Sequence, residues 1–185
     1  MLLAIAACLA AAPAISAPQA FVLDLDHTHI HWEIRHFGTS TIRGRLDAID
    51  GSITLDREAR RGSAAMAIAT NSVSTGVAPF DGVVRGRYVL WTAEHPTATF
   101  VAENFMFDGE RLASVTGEFT LRGVASALTL RALRFSCRAE AEPAREVCGG
   151  DFEGELQRSD FGITYGLPFV ANRVRVLVQI EAVRQ

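Results

Sequence analysis

The sequence predicts an all-β protein: an antiparallel barrel of eight strands with one short helix capping it. The strongest observation is the stretch from Val115 to Leu130, where two runs of alternating apolar and polar residues flank Arg122-Gly123. Such alternation is typical of strands, and glycine accepts the positive φ that a tight turn between them needs. Runs of the same kind recur along the chain, whereas residues 79–92 follow a helical period instead.

The strands follow from period-two patterning. In the first, Ile30, Trp32 and Ile34 share one face and charged or imidazole side chains take the other. Asp50-Gly51 and Asp108-Gly109 are dipeptides typical of hairpin turns, so we expect chain reversals there. The eight predicted strands are residues 30–35, 43–55, 63–70, 97–107, 115–121, 124–135, 152–156 and 173–183.

One segment departs from this rhythm. Between residues 79 and 92, Phe80, Val84, Tyr88 and Trp91 recur at the spacing of one helix face. A proline suits the first turn of a helix, and Pro79 stands there. We therefore expect a short helix that packs over one end of the barrel, either as a plug for the core or as a lid on a cavity.

Eight short strands with two-sided patterning favour a closed up-and-down barrel, because closure removes exposed sheet edges. A β-sandwich is the alternative. An eight-stranded barrel has an interior that side chains fill or that holds one small ligand. The formal net charge of −3 gives no electrostatic case for nucleic acid.

The first twenty residues carry no charged side chain and are rich in alanine. Ala14-Ile15-Ser16 matches a small-x-small cleavage site, so we interpret residues 1–20 as a signal peptide cleaved near residues 16/17. Residues 21–185 are then one mature domain. The expected location is the periplasm, reached by secretion.

Cys137 and Cys148 are the two cysteines that remain after the leader. An even number in an oxidising compartment favours a disulfide, and we predict one between them. The segment from Arg138 to Val147 is polar and contains Pro143, so we expect a long exposed loop stapled at its base. Two free thiols are the alternative.

Other reactive side chains do not form a recognised centre. His27, His29 and His31 would share the solvent face of a strand, so no metal site is predicted. His36 has inward parity and is either a buried core histidine or a contact for a ligand head group. Ser159 lacks the Gly-x-Ser-x-Gly context of a hydrolase nucleophile. We therefore predict no catalytic residues and no enzyme activity.

Five stretches of the chain match the motifs of one known family. In chain order they are Leu25-Asp26-His27-Thr28 with Ile30-x-Trp32-x-Ile34-x-His36-Phe37-Gly38, Asn71-Ser72-Val73-Ser74-Thr75, His95-Pro96-Thr97-Ala98-Thr99-Phe100, Thr116-Gly117-Glu118-Phe119-Thr120-Leu121-Arg122-Gly123-Val124 with Leu128-Thr129-Leu130, and Arg158-Ser159-Asp160-Phe161-Gly162. Together they span roughly residues 22–183 and resemble the YceI-like, polyisoprenoid-binding family of lipocalin-like periplasmic proteins. In the helical segment Asp81 matches the family pattern, whereas Val83 and Gly86 stand where the family has His and Ser.

The resemblance implies a lipocalin-like barrel with an apolar tunnel for an isoprenoid chain, such as a polyprenyl carrier or ubiquinone, and no other cofactor. Expected partners are this lipid and, transiently, a membrane or membrane protein; the chain is expected to be a monomer or homodimer. Face parity and family position give these lining candidates: Trp32, Ile34, Met66, Ile68, Tyr88, Trp91, Phe100, Phe119, Leu121 and Phe161. The alternative is a filled barrel that acts through its surface, as a partner of a membrane redox or stress protein.

Overall fold

A computed structural model describes residues 17–140 and 145–185. Ten strand segments, one α-helix and two short 3₁₀ turns make up these residues. The elements are β1 (Gln19–Leu23), β2 (His29–His36), β3 (Ser40–Leu46), β4 (Ile49–Asp56), β5 (Arg61–Ala69), α1 (Ala78–Arg85), β6 (Thr97–Asp108), β7 (Arg111–Leu121), β8 (Val124–Glu140), β9 (Arg145–Gln157) and β10 (Val170–Arg184), with 3₁₀ turns at Thr70–Ser72 and Arg158–Phe161.

The ten segments occupy eight positions in a closed antiparallel barrel, which confirms the predicted fold. Strands β4 to β9 each pair with the next strand along the chain. Segments β1 and β2 pair one after the other with the same edge of β10, and β4 and β3 pair in turn with β1 and β2. β1 and β2 together therefore form one interrupted barrel strand, and β3 and β4 together form another. The ring closes where β1 joins β10.

The first interruption is stabilised by a side chain. Buried Thr28 takes the place of a ladder partner beside β10: its Oγ1 donates to the carbonyl of Glu181 (3.1 Å) and accepts from the amide of the same residue (3.2 Å). Residues between β1 and β2 bulge away without a reversal of the chain. Segment β1 itself was not among the predicted strands.

The predicted turn at Asp50-Gly51 is wrong. Both residues lie inside β4, where they pair with Ala67 and Met66 of β5. A Cβ atom at Gly51 would overlap the backbone of the neighbouring strand, so this glycine permits close strand approach and does not reverse the chain. The predicted strand 43–55 is instead interrupted between Leu46 and Ile49.

The hairpin between β7 and β8 has the predicted turn. Arg122 and Gly123 have φ angles of 53° and 74°, and Leu121 pairs with Val124 on either side of them. Two successive positive φ angles define the type I′ turn, whose twist matches that of the flanking strands. This confirms the reversal that the sequence indicates.

Strands β8 and β9 extend further than expected. Cys137 and Cys148 are direct cross-strand partners, joined by a disulfide, and pairing continues to Glu140 and Arg145. The predicted ten-residue exposed loop from Arg138 to Val147 is therefore wrong in extent, because the alternating ladder persists beyond the disulfide. Pro143 lies outside the described residues.

Residues 1–16, most of the predicted leader, also lie outside the described residues. Strand β1 begins at Gln19, which pairs with Leu55, so residues 19 and 20 belong to the barrel. Cleavage near residues 16/17 stays a prediction. Among residues 17–140 and 145–185, no helix has the length and apolar character needed to cross a bilayer.

Candidate functional site

The barrel encloses a cavity of about 410 Å³. Every barrel strand contributes inward side chains to its wall, and nearly all of these are aliphatic or aromatic. The volume lies within the range of ligand-binding cavities. Apolar residues of this wall include Ile30, Trp32, Ile34, Ala64, Met66, Ile68, Val84, Val89, Leu90, Ala98, Phe100, Phe119, Leu121, Phe152, Val174, Val176, Val178 and Ile180.

Strand parity places much of the wall. In β2, Trp32 and Ile34 pair with Val176 and Val174 of β10, and all four side chains face the cavity. Successive residues of a strand point to opposite faces, so their neighbours face solvent and carry charge. Glu33, for example, forms ion pairs with Arg43 and Arg175 on the outer surface.

Small side chains leave the space that the cavity occupies. Ala64 of β5 is paired with Ala102 of β6, and Ala98 lies further along β6 opposite Ile68. All three alanines are buried. Because an eight-stranded barrel is narrow enough for large side chains to fill, alanine at inward positions keeps its interior open.

The cavity opens at the end of the barrel where α1 lies. Phe80 and Val83 of α1 and Tyr165 of the connection before β10 all line the cavity, yet each is more than half exposed. Side chains that contact both cavity and solvent mark its mouth. The opposite end is closed by buried residues that include Phe21, Leu55 and Ala182.

Helix α1 is fixed across the mouth by one carboxylate. Asp81 Oδ1 accepts hydrogen bonds from the amide (2.5 Å) and the hydroxyl (2.7 Å) of Thr75. Both hydrogen bonds hold the pKa of Asp81 below its ordinary value, and the bond from the Thr75 amide is the larger cause. Arg85, one turn further on, donates to the carbonyls of Asn71 and Val73.

Arg158 is a buried cation in the cavity wall near the mouth. Its guanidinium donates to four carbonyls, those of Ile163, Tyr165, Val170 and Ala171, at 2.7–3.1 Å. No carboxylate of the described residues pairs with it, and burial lowers its pKa. The guanidinium group of Arg158 therefore holds the segment before β10 in place through these carbonyls. It also places a positive charge beside an apolar cavity.

The structure brings seven of the ten predicted lining residues to the cavity. They are Trp32, Ile34, Met66, Ile68, Phe100, Phe119 and Leu121. Their contact with a ligand stays a prediction. His36 also lies in the wall, at the mouth, as its parity predicts.

Tyr88 and Trp91 lie elsewhere, because the helix is shorter than predicted. It ends at Arg85, since Gly86 adopts an extended conformation, so the helical spacing does not continue to residue 91. Tyr88 is 61 % exposed and stacks on Tyr165 (5.8 Å between ring centres), and Trp91 is 40 % exposed. Val89 and Leu90, which the helical pattern did not select, reach the cavity instead.

Phe161 is buried outside the cavity wall, with its ring edge-on to that of Phe119 at 5.6 Å. It follows Arg158 in a 3₁₀ turn and not in a strand, so strand parity does not apply to it. It supports a wall residue from behind. Three further wall residues, Ala64, Ala98 and Arg158, were not predicted as lining. The signal for the two alanines was their parity within β5 and β6, and the signal for Arg158 was its charge within a matched family motif.

The polar side chains outside the cavity form local hydrogen bonds and an ion pair. Asn172 Nδ2 donates to Ser159 Oγ (2.8 Å), and no hydrogen bond joins Ser159 to a histidine in the described chain. His27 Nδ1 lies 3.0 Å from Asp24 Oδ2, which keeps the pKa of His27 above its ordinary value. His27, Asp24 and Glu181 form an exposed group on the outer surface.

Comparison with known proteins agrees with this architecture. The family model described as YceI-like domain matches residues 21–182. A UPF0312 protein of Pectobacterium carotovorum is 31 % identical over 176 residues, which cover 95 % of this chain and 91 % of that protein. Protein YceI of Salmonella arizonae is 30 % identical over 160 residues, covering 86 % and 83 %.

Solved structures show the same fold at lower identity. BcnA of Burkholderia cenocepacia has a TM-score of 0.72 at 21 % identity, over 86 % of this chain and 98 % of that one. A polyisoprenoid-binding domain from Saccharophagus degradans, implicated in plant cell wall breakdown, has a TM-score of 0.67 at 18 % identity, over 90 % and 99 %. From the family match and the sequence relatives, the chain belongs to the YceI-like family.

Proposed function

We propose that this protein binds an isoprenoid-type lipid, a polyprenyl chain or a quinone, in the barrel cavity without catalysis. The observation that carries the proposal is the cavity itself, which has an almost wholly apolar wall and an opening at one end. The polyisoprenoid-binding domain of the same fold and membership of the YceI-like family support it. Carriage, storage or a stress response in the periplasm, after removal of the leader, is the proposed setting.

Burial supplies the affinity in this proposal. Each CH₂ equivalent moved out of water contributes roughly 0.8 kcal/mol, so a five-carbon prenyl unit contributes roughly 4 kcal/mol before ordering costs. The tail lies towards Phe152 and Ala182, because that end is closed. The head group lies at the mouth, beside His36 and the positive charge of Arg158.

The alternative of a barrel acting through its surface has one observation in its favour. Tyr88 and Trp91 are exposed beside the mouth, where a partner could contact them. Its other premise, an interior filled by side chains, disagrees with a cavity of about 410 Å³. Lipid binding is therefore the primary proposal.

The first experiment is mild purification from the periplasm, organic extraction and mass spectrometry. A stoichiometric polyprenyl or quinone species is the expected result, and the mass of the mature chain tests cleavage near residues 16/17. A protein that emerges empty and fails to take up added ubiquinone would overturn the proposal.

A matched pair of variants tests the location. Ala64→Phe places a ring in the cavity, whereas Ala65→Phe, on the exposed face of the same strand, adds the same ring outside. Ubiquinone uptake, followed by quenching of Trp32 fluorescence in a Trp91→Phe background, should fall at least about tenfold in the first variant alone. Circular dichroism establishes that both variants fold. Equal uptake by both variants would show that the ligand does not bind in the cavity.

A further inference from the structure

Large apolar side chains concentrate around the cavity mouth. Phe37 and Phe169 stack at 5.5 Å and are 58 % and 62 % exposed, and Tyr88 and Tyr165 form a second exposed stack. Trp91, three residues after Tyr88 in the same connection, is also exposed. We call these five residues the aromatic rim. Three exposed residues of the α1 segment extend it: Val77, Phe80 and Val83.

The opposite end of the barrel has a different surface. Its two described hairpin turns, at positions 57–60 and 108–111, consist mainly of charged residues. In an up-and-down barrel, alternate connections lie at opposite ends, so the β2–β3, β5–β6, β7–β8 and β9–β10 connections share the rim end. The apolar character of that end is therefore not a general feature of the loops. Exposed apolar patches of this kind mark interaction surfaces.

Charge is also distributed unevenly. All 18 basic residues are arginine, and most form ion pairs on the barrel wall. In the described chain, five arginines have no carboxylate within ion-pair distance, and four of them lie at the rim end. Of these four, Arg35 and Arg87 are exposed, Arg122 is half-buried and Arg158 is buried; Arg60 lies at the opposite end. The rim segments 35–39, 73–96, 122–123 and 158–169 contain five arginines and three carboxylates, although the whole chain has a net charge of −3.

We infer that the aromatic rim, together with the exposed Arg35 and Arg87 beside it, docks on the surface of an anionic phospholipid bilayer. Aromatic side chains favour the interface between head groups and acyl chains, where an apolar body and a polar edge are both accommodated. Guanidinium groups bind phosphate through paired hydrogen bonds. Arg87 lies over the Tyr88 ring at 4.8 Å, so cation and aromatic group would reach the interface together.

The cavity mouth and the proposed docking surface share residues. Phe80 and Tyr165 belong to both the cavity wall and the exposed patch, so the apolar cavity continues into the apolar rim. Docking would place the opening against the acyl region, and an apolar molecule could pass between bilayer and cavity without crossing water. The docking inference itself does not depend on which molecule the cavity holds.

Flotation with protein-free vesicles tests the inference. Vesicles of phosphatidylglycerol with phosphatidylcholine should carry the purified protein, and vesicles of phosphatidylcholine alone should carry much less. Each of Arg35→Gln and Arg87→Gln should lower the partition coefficient roughly fivefold, and Phe169→Asp at least roughly tenfold. High salt should weaken binding, because it screens the arginine contribution.

Matched controls separate the rim from general effects of charge or polarity. Arg60→Gln removes an arginine without an ion pair at the opposite end, and Met106→Asp replaces an exposed apolar side chain on the barrel wall. Both should float like the wild type. Ubiquinone uptake from detergent by Phe169→Asp, measured in parallel, should be unchanged, so a failed cavity proposal and a failed docking inference give different results.

The inference would be overturned by wild-type protein that does not float with anionic vesicles, or by rim variants and controls that float equally. Binding to native membrane vesicles combined with no binding to protein-free vesicles would also overturn it, and would assign the rim to a membrane protein.

Discussion

The indole ring of Trp32 lies directly against Gly44 on the neighbouring strand, so that a Cβ atom at residue 44 would overlap the ring. The two residues are cross-strand partners in β2 and β3. Trp32 thereby forms part of the cavity wall near the mouth, and the absence of a side chain at residue 44 gives its ring the space to lie there. Cavity shape thus depends on a glycine that does not itself line the cavity.

Gly44→Ala should disturb this wall. The added methyl group also approaches the Ser74 carbonyl (2.9 Å), so the indole must move, and we expect a loss of roughly 1–3 kcal/mol in the free energy of unfolding. In a Trp91→Phe background, the emission of Trp32 reports the movement. An unchanged spectrum with unchanged stability would show that the ring does not occupy this position.

Gly82→Ala should have the opposite effect. Gly82 lies within α1, and an added Cβ would meet no atom within 4 Å. Alanine is favoured over glycine in helices by roughly 1 kcal/mol, so the variant should be more stable by up to about that amount. Thermal or urea unfolding measures the change. A destabilised variant would mean that residue 82 is not helical in solution.

The attachment of α1 should depend on pH through Asp81. Hydrogen bonds from Thr75 lower the folded-state pKa of this carboxylate, so its stabilising contribution is complete above the ordinary pKa of about 4 and is lost as the pH falls through the folded value. Hydrogen exchange of residues 73–85 should accelerate in acid relative to the barrel strands. Asp81→Asn keeps the acceptor oxygen but removes the charge, so it should flatten this pH dependence. Equal acid sensitivity in both proteins would assign the effect to another group.

Arg158→Lys should be strongly destabilising, although it keeps the charge. One ammonium group cannot reach four carbonyls that the guanidinium satisfies from fixed directions, and buried acceptors left without donors cost about 1–3 kcal/mol each. We expect a loss of roughly 3 kcal/mol or more by urea unfolding. Arg173→Lys, at an exposed ion pair with Glu155, is the matched control and should change stability by less than about 1 kcal/mol. Similar small losses in both would show that the four hydrogen bonds contribute little.

Removing the disulfide should lower stability without opening the barrel. Cys137 and Cys148 are 11 residues apart in sequence, and a crosslink over a loop of this length contributes roughly 2–3 kcal/mol, mainly by restricting the unfolded chain. The ladder continues on both sides of the pair, so the double Cys→Ser variant should keep its circular dichroism spectrum. Unfolding in urea with and without a reductant gives the same comparison. An unchanged midpoint would indicate that the thiols are not joined in solution.

The sequence alone determined the elements whose evidence is local. Alternation placed Trp32 and Ile34 on the inner face of β2, and Arg122-Gly123 marked a hairpin, because both signals depend only on neighbouring residues. The barrel class followed from the same periodicity, and the seven cavity-lining residues followed from face parity together with their positions in the family motifs. The disulfide was predicted from the cysteine count and the expected oxidising compartment.

Tertiary structure decided what depends on long-range contacts. Asp50-Gly51 has the composition of a turn, but pairing with β5 keeps it within a strand. Tyr88 and Trp91 continue the helical spacing in the sequence, but the helix ends before them because Gly86 is extended. Both rings are therefore exposed and form part of the rim. Arg158 was only one residue of a matched motif in the sequence, whereas in the fold four carbonyls of the segment that follows it converge on its guanidinium. Periodicity encodes which face a side chain takes, whereas the ends of elements and the partners of buried polar groups are set by which segments the closed barrel brings together.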